Sequence, residues 1–195
     1  IVLAVIVINS CTILFADDKE PVAQPVKKTI PQQQPIQQVT EEINVSNETV
    51  IEVGSAVGNK APAFDIQLMS GEHLTNQKIL KDKAIVFYFF TTYCLDCLEE
   101  FEVTKSLYPK YKNKIRFIAV SVDEVEDEIT LTKFKQTHFF TQLMDLIPKD
   151  NDLMASLKVT SPGTKIAINQ DGIIKTRDDF QYDEEDWQDM FKLLA

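Results

Sequence analysis

The sequence predicts an α/β fold built on a central mixed β-sheet flanked by helices, and three observations predict it. Two apolar runs of strand length, 84–90 and 115–122, are separated by stretches with helical spacing. Both runs are apolar at successive positions rather than alternating, which suits strands covered on both faces. Near the C-terminus two further strands, 164–169 and 173–176, flank the turn Gln170-Asp171-Gly172, a hairpin signal. Strands alternating with helices and closed by a hairpin call for parallel and antiparallel pairs in one sheet.

Each element has its own reason. Residues 63–68 read as a first strand, followed by the turn Met69-Ser70-Gly71-Glu72, and 75–80 as a short helix. The run 84–90 is the central strand. Residues 95–108 carry Leu98, Phe101, Val103 and Leu107 among charges, one apolar face of a helix that Pro109 should end or kink. Residues 115–122 form another buried strand, 127–138 a helix and 143–146 a short strand. Asp150 is placed to cap a helix bearing Leu153, Met154 and Leu157. Residues 183–194 close the chain as an amphipathic helix, with Glu184, Glu185 and Asp186 in its first turn and Trp187, Met190, Phe191 and Leu194 as its stripe.

The chain is 195 residues long, 44% hydrophobic, with 30 acidic against 20 basic residues and a net charge of −10. It has no basic stripe, so nucleic acid is excluded as a partner, because phosphate contacts need clustered Lys and Arg. Of the 3 cysteines, Cys94 and Cys97 are a close pair and Cys11 stands apart. One pair is too few for a disulfide scaffold.

Three regions follow from composition. Residues 1–16 read as an export signal or membrane anchor, with continuous apolar sequence from Ile1 to Ile8. Ile8-Asn9-Ser10-Cys11 resembles a bacterial lipobox, which makes Cys11 a candidate for lipidation; cleavage after Ala16 and an uncleaved anchor are the rival readings. Residues 17–52 read as a flexible tether, with Pro21, Pro25, Pro31 and Pro35 spaced among glutamines and too little apolar surface to form a core. Residues 53–195 form the folded domain.

The chemistry concentrates in Thr92-Tyr93-Cys94-Leu95-Asp96-Cys97, at the junction of a buried strand and a helix. Two cysteines two residues apart can open and close a disulfide. Cys94 falls at the helix N-terminus, where unpaired N–H groups favour a thiolate and lower the thiol pKa.

Gly58-Asn59-Lys60-Ala61-Pro62-Ala63-Phe64 resembles the opening of the TlpA/ResA type of thioredoxin-like protein. So does the order after it: apolar strand, Cys-x-x-Cys helix, Phe117-Ile118-Ala119-Val120-Ser121-Val122-Asp123, then Val159-Thr160-Ser161-Pro162-Gly163-Thr164 and Asn169-Gln170-Asp171-Gly172. The likeness covers about residues 54 to 195. It implies a thioredoxin-like fold and a protein-disulfide reductase. Cys94 would attack a client disulfide and Cys97 would resolve the mixed disulfide. The resemblance also implies a cis Pro162 beside the cysteines, with Ser161 offering main-chain groups to an extended client. Tyr93 stands where the family usually has Trp and would wall the site. Glu100, three residues after Cys97, would handle thiol protons, the alternative being a solvated acidic face. The implied partners are client proteins with disulfides, apocytochrome c among them, and a membrane electron donor that restores the thiols; no cofactor or metal is expected. Leu95-Asp96 replaces the frequent x-Pro dipeptide, and the charge of Asp96 should make the couple reducing rather than strongly oxidising.

Other readings fit less well. A peroxiredoxin-like thiol peroxidase needs Pro-x-x-x-Thr-x-x-Cys; Thr91 is in place, but Phe87 occupies the proline position. A Sco-type copper chaperone needs three residues between its cysteines. A c-type haem site needs His where Leu98 stands, and zinc needs about four ligands. His73 and His138 read as surface or satisfied core residues. A non-enzymatic envelope adaptor with a static disulfide is the remaining alternative.

Overall fold

A computed structural model describes residues 50–138 and 144–195. The expected signal or anchor at 1–16, with Cys11, and nearly all of the tether lie outside the described residues. Chain order is β1 (Asp65–Gln67), β2 (His73–Thr75), α1 (Asn76–Ile79), β3 (Ala84–Phe90), α2 (Leu95–Leu107), β4 (Ile115–Ser121), α3 (Glu128–Thr137), β5 (Asp145–Ile147), α4 (Asn151–Ser156), β6 (Lys165–Ile168), β7 (Ile174–Asp178) and α5 (Glu184–Leu194).

The expected mixed sheet is present, with five strands in the order β5-β4-β3-β6-β7. β3 pairs parallel with β4, from Ala84 opposite Ile115 to Phe90 opposite Ser121, and antiparallel with β6, where Tyr88 faces Lys165. β5 extends the sheet in parallel beyond β4, and β7 in antiparallel beyond β6. β1 and β2 form a separate antiparallel pair, joined through Gly71 at φ 83°, a left-handed conformation that glycine adopts freely.

β3 is the keel of the domain, and every residue of it is buried. Because side chains alternate across a sheet, Ala84, Val86, Tyr88 and Phe90 enter one core with Phe101, Leu131, Trp187 and Phe191. Ile85, Phe87 and Phe89 enter the other with Ile66, Leu74, Leu153 and Leu157. Two-sided burial is the reason the run is apolar at every position.

The caps match the sequence. Asp127 accepts from Thr130 N–H, Asp150 from Leu153 N–H, and Asp183 closes a capping box with Asp186. Pro109 ends α2 in a single 3₁₀ turn, Tyr108–Lys110, where its missing N–H costs nothing. β5 starts two residues later than expected.

Two expectations are corrected. The inward face of α2 is Cys97, Glu100, Phe101, Thr104 and Leu107, while Leu98 and Val103 are only partly buried against the core. The stripe is turned because Glu100 has partners on other elements inside, while the Thr104 hydroxyl is satisfied by Phe101 C=O of its own helix. The second correction is the Ser161–Pro162 bond, since no cis peptide occurs among the described residues. A trans bond suits this loop: Pro162 and Gly163 are turn residues, and Gly163 has φ 85°. Proline followed by a left-handed glycine is a pairing that suits a type II turn.

Candidate redox site

The site forms where β3 ends. Cys94 and Cys97 are joined by a disulfide, with Cα atoms 5.2 Å apart. Cys94 is the N-cap of α2 in extended backbone conformation, and its Sγ accepts from Cys97 N–H at 3.1 Å. The sequence places Cys94 at this junction because the buried strand stops at Phe90 and the helix begins at Leu95. The open N-terminal N–H groups of a helix are the setting that stabilises a thiolate there. The two sulfur-bearing residues differ in access: Cys97 is 1% exposed, and Cys94 is of intermediate exposure. Flanking Cys94, Tyr93 is 68% and Leu95 74% exposed, an apolar rim on an open face.

The loop before Cys94 is clamped twice by acidic residues that follow β4. The Tyr93 hydroxyl donates to Asp123 at 2.7 Å. That bond raises the Tyr93 pKa. The Asp123 carboxyl is held below its ordinary value by Val125 N–H first and Tyr93 second. Glu126, 4% exposed, accepts from Thr92 N–H at 2.7 Å, from the Thr92 hydroxyl at 2.6 Å and from the Ser121 hydroxyl at 2.6 Å.

Pro162 lies at the same end of the sheet. β6 runs antiparallel to β3, so its start meets the end of β3. Gly163 N–H donates to Phe89 C=O at 2.7 Å, and Phe89 N–H to Thr164 C=O at 2.9 Å. The Ser161 carbonyl accepts from the Thr164 hydroxyl at 3.0 Å, and Pro162 is exposed.

Glu100 is buried on the inner face of α2. Its Oε1 accepts from Lys165 Nζ at 2.8 Å and Tyr182 N–H at 3.2 Å, and its Oε2 from Trp187 Nε1 at 3.1 Å. The solvated acidic face is therefore wrong for Glu100, although it describes its exposed neighbours Glu99 and Glu102. Burial pushes the Glu100 carboxyl up, opposed by the hydrogen bond and charge of Lys165. Burial pushes the Lys165 ammonium down, opposed by Glu100 and by Asp178 and Asp179.

Sequence reasoning missed Lys165 and Glu126. The signal for Lys165 was a lone charge within the apolar strand Lys-Ile-Ala-Ile, on the face that carries Ala167 into the core. Glu126 sits in the acidic run Asp123-Glu124-Val125-Glu126-Asp127-Glu128, which gives no local sign that one member turns inward. No cluster of three or more metal-ligating side chains occurs among the described residues. No helix among them is long and apolar enough to cross a membrane.

A sequence profile described as the AhpC/TSA family matches residues 57–181, from the loop before β1 to the segment after β7. The chain belongs to the AhpC/TSA family. Within this thioredoxin-like family it is 27% identical over 125 residues to the thioredoxin-like protein YneN of Bacillus subtilis, covering 64% of this chain and 72% of that protein. It is 30% identical over 117 residues to the thiol-disulfide oxidoreductase ResA of Bacillus cereus, covering 60% of this chain and 65% of ResA, just under two thirds. The thioredoxin domain of a thiol-disulfide oxidoreductase from Bacteroides vulgatus superposes with a TM-score of 0.59 at 18% identity, over 72% of this chain and 99% of that one. A thioredoxin-family thiol:disulfide interchange protein from Chlorobium tepidum superposes with a TM-score of 0.57 at 19% identity, over 69% and 94%. The thioredoxin-like fold expected from the motifs is thus the fold of this AhpC/TSA member.

Proposed function

We propose that the chain is a thiol–disulfide oxidoreductase that reduces disulfides in client proteins. One observation carries the reading: a Cys94–Cys97 disulfide at a helix N-terminus with one cysteine reachable and the other sealed. The name of the relative ResA supports it.

In the reduced form the Cys94 thiolate attacks one sulfur of a client disulfide. A bond forms between Cys94 and that sulfur, the client S–S bond breaks, and the departing client thiolate takes a proton. The Cys97 thiolate then attacks Cys94 Sγ and releases the second client thiol. Two electrons have passed to the client, and the chain is left in its disulfide form. A membrane electron donor would return the electrons. Tyr93, Ser161 and Pro162 form the client-facing rim, and Glu100 is the buried carboxylate of the helix that carries both cysteines.

The finer reading places the domain outside the cytoplasm on a membrane tether, with lipidation at Cys11 or an N-terminal anchor, and takes apocytochrome c as the client class. The apolar 1–16 segment and the Pro/Gln-rich 17–52 segment support the tether, and the likeness to ResA supports the client. A peroxidase reading is opposed by Phe87, a fully buried strand residue at the proline position of the peroxidatic motif.

The test is turbidimetric reduction of insulin by dithiothreitol with and without the protein. The wild type should accelerate it and Cys94→Ser should not; equal rates would leave only an adaptor with a static bridge. A Cys97→Ser variant expressed in the native cell should accumulate a mixed disulfide on Cys94 whose partner names the client.

A further inference from the structure

The Glu100–Lys165 pair is the one buried ion pair among the described salt bridges, with side chains 2% and 0% exposed. Its protonation can be read by counting hydrogen bonds. Lys165 Nζ donates to Glu100 Oε1 at 2.8 Å, Gly163 C=O at 2.8 Å and Phe180 C=O at 2.6 Å. Three acceptors need three protons, and only the charged ammonium has three. The nitrogen also lies 4.7 Å from the centroid of the Tyr182 ring and 5.5 Å from that of Tyr88, positions that attract a cation. Glu100 receives donors only, from Lys165, Tyr182 and Trp187, and two of these are N–H groups that cannot accept a proton in return. A protonated carboxyl would set its own hydrogen against these three donors, the buried Tyr88 hydroxyl, which has no hydrogen-bond partner among the described residues, being the neighbouring group able to accept it.

We propose that Lys165 is a positioning residue that keeps Glu100 ionised in both redox states, so that Glu100 acts on the cysteine pair as a fixed charge and not as a carrier of thiol protons. The other groups facing the pair do not change this. The buried Tyr88 hydroxyl has its pKa raised by burial and by Glu100, and the Tyr182 hydroxyl, which donates to Asp178, is likewise raised; both stay neutral. Asp178 and Asp179 add negative charge on the Lys165 side, which favours the ammonium. The Cys97 proton therefore leaves on the Cys94 side, to the departing client thiolate. Elimination of Lys165 would strand a buried anion, which escapes that state by taking a proton. This inference rests on the exchange reading of Cys94 and Cys97.

The experiment is infrared spectroscopy of the whole chain, recorded separately in the oxidised and chemically reduced states from about pH 5 to pH 8, with the wild-type minus Glu100→Gln difference in each state assigning the carboxyl bands. The expected wild-type result is a Glu100 carboxylate signature in both redox states at every pH. A protonated-carboxyl band in either redox state that is absent in Glu100→Gln overturns the proposal. Lys165→Met should gain that band and add a second inflection to the pH profile of thiol alkylation; a folded Lys165→Met without the band also overturns it. If that variant does not fold, the wild-type spectra decide. No client enters the measurement, so a failure of insulin reduction leaves this result separate.

Discussion

The Trp187 indole N–H donates to Glu100 Oε2 at 3.1 Å, so α5 and the cysteine-bearing α2 share one buried carboxylate. The indole is fully buried and packs edge-on against Tyr88, with centroids 5.7 Å apart. Trp187→Phe should keep most of the apolar contact and lose the donor. The expected cost is about 1–3 kcal/mol, the penalty for leaving a buried acceptor unsatisfied. Urea denaturation measures it, and an unchanged midpoint would show that the donor contributes nothing.

The Glu126 clamp makes a second prediction. Thr92→Val removes one of three donors to a buried carboxylate and leaves shape nearly unchanged. Stability should fall by about 1–3 kcal/mol, and amide exchange at Tyr93 and Cys94 should accelerate more than in the sheet. Uniform acceleration would mean that the clamp does not act locally.

Asp96 lies in the first turn of α2, exposed beside both cysteines. Its charge opposes a thiolate at Cys94, so Asp96→Asn should lower the Cys94 pKa and make the couple more oxidising. An interaction between exposed charges is worth about 0.2–1 kcal/mol, which corresponds to roughly 4–20 mV at 30 mV per 1.4 kcal/mol. Equilibration against glutathione reads the shift, and a fall in potential would reverse the argument. Titration of the wild-type thiol should give a value well above the ~3.5 of DsbA.

The Tyr93–Asp123 clamp sets a pH window. Asp123 has a depressed folded pKa, so its contribution is present above the unfolded value, about 3.9, and is lost as pH falls through the folded value. Tyr93 has a raised folded pKa, so its contribution is complete below about pH 10 and lost as pH rises through the folded value. The stability difference between wild type and Asp123→Asn should therefore stay flat from about pH 5 to pH 8 and shrink below about pH 4. Chemical denaturation across that range checks it; a difference that shrinks near neutrality would assign the effect to another group.

The parts of the site legible in the sequence are those with a local cause. The run 84–90 had to be a strand buried on both faces, and Cys94 had to cap what followed, because pattern and motif meet at one boundary. Asp150 announced its helix by side-chain chemistry alone, whereas the capping roles of Asp127 and Asp183 emerge from the structure. Glu100 was legible only as one of two readings, and Lys165 and Glu126 not at all, for the opposite reason. Their burial depends on partners 65 residues away in the first pair and 34 for Thr92 and Glu126. A lysine at the start of a short strand and a glutamate in an acidic run look solvated until the partner is in place. Pro162 was misread through resemblance, because Gly163 behind it supplies a turn that a trans bond already satisfies.

The chain contains a single tryptophan, and the fold seats it against the carboxylate that underlies the cysteine helix. Its ultraviolet emission is consequently an intrinsic optical reporter. It registers loosening of the α2–α5 seam without any attached dye, and it does so from a position no solvent quencher reaches while the domain is intact.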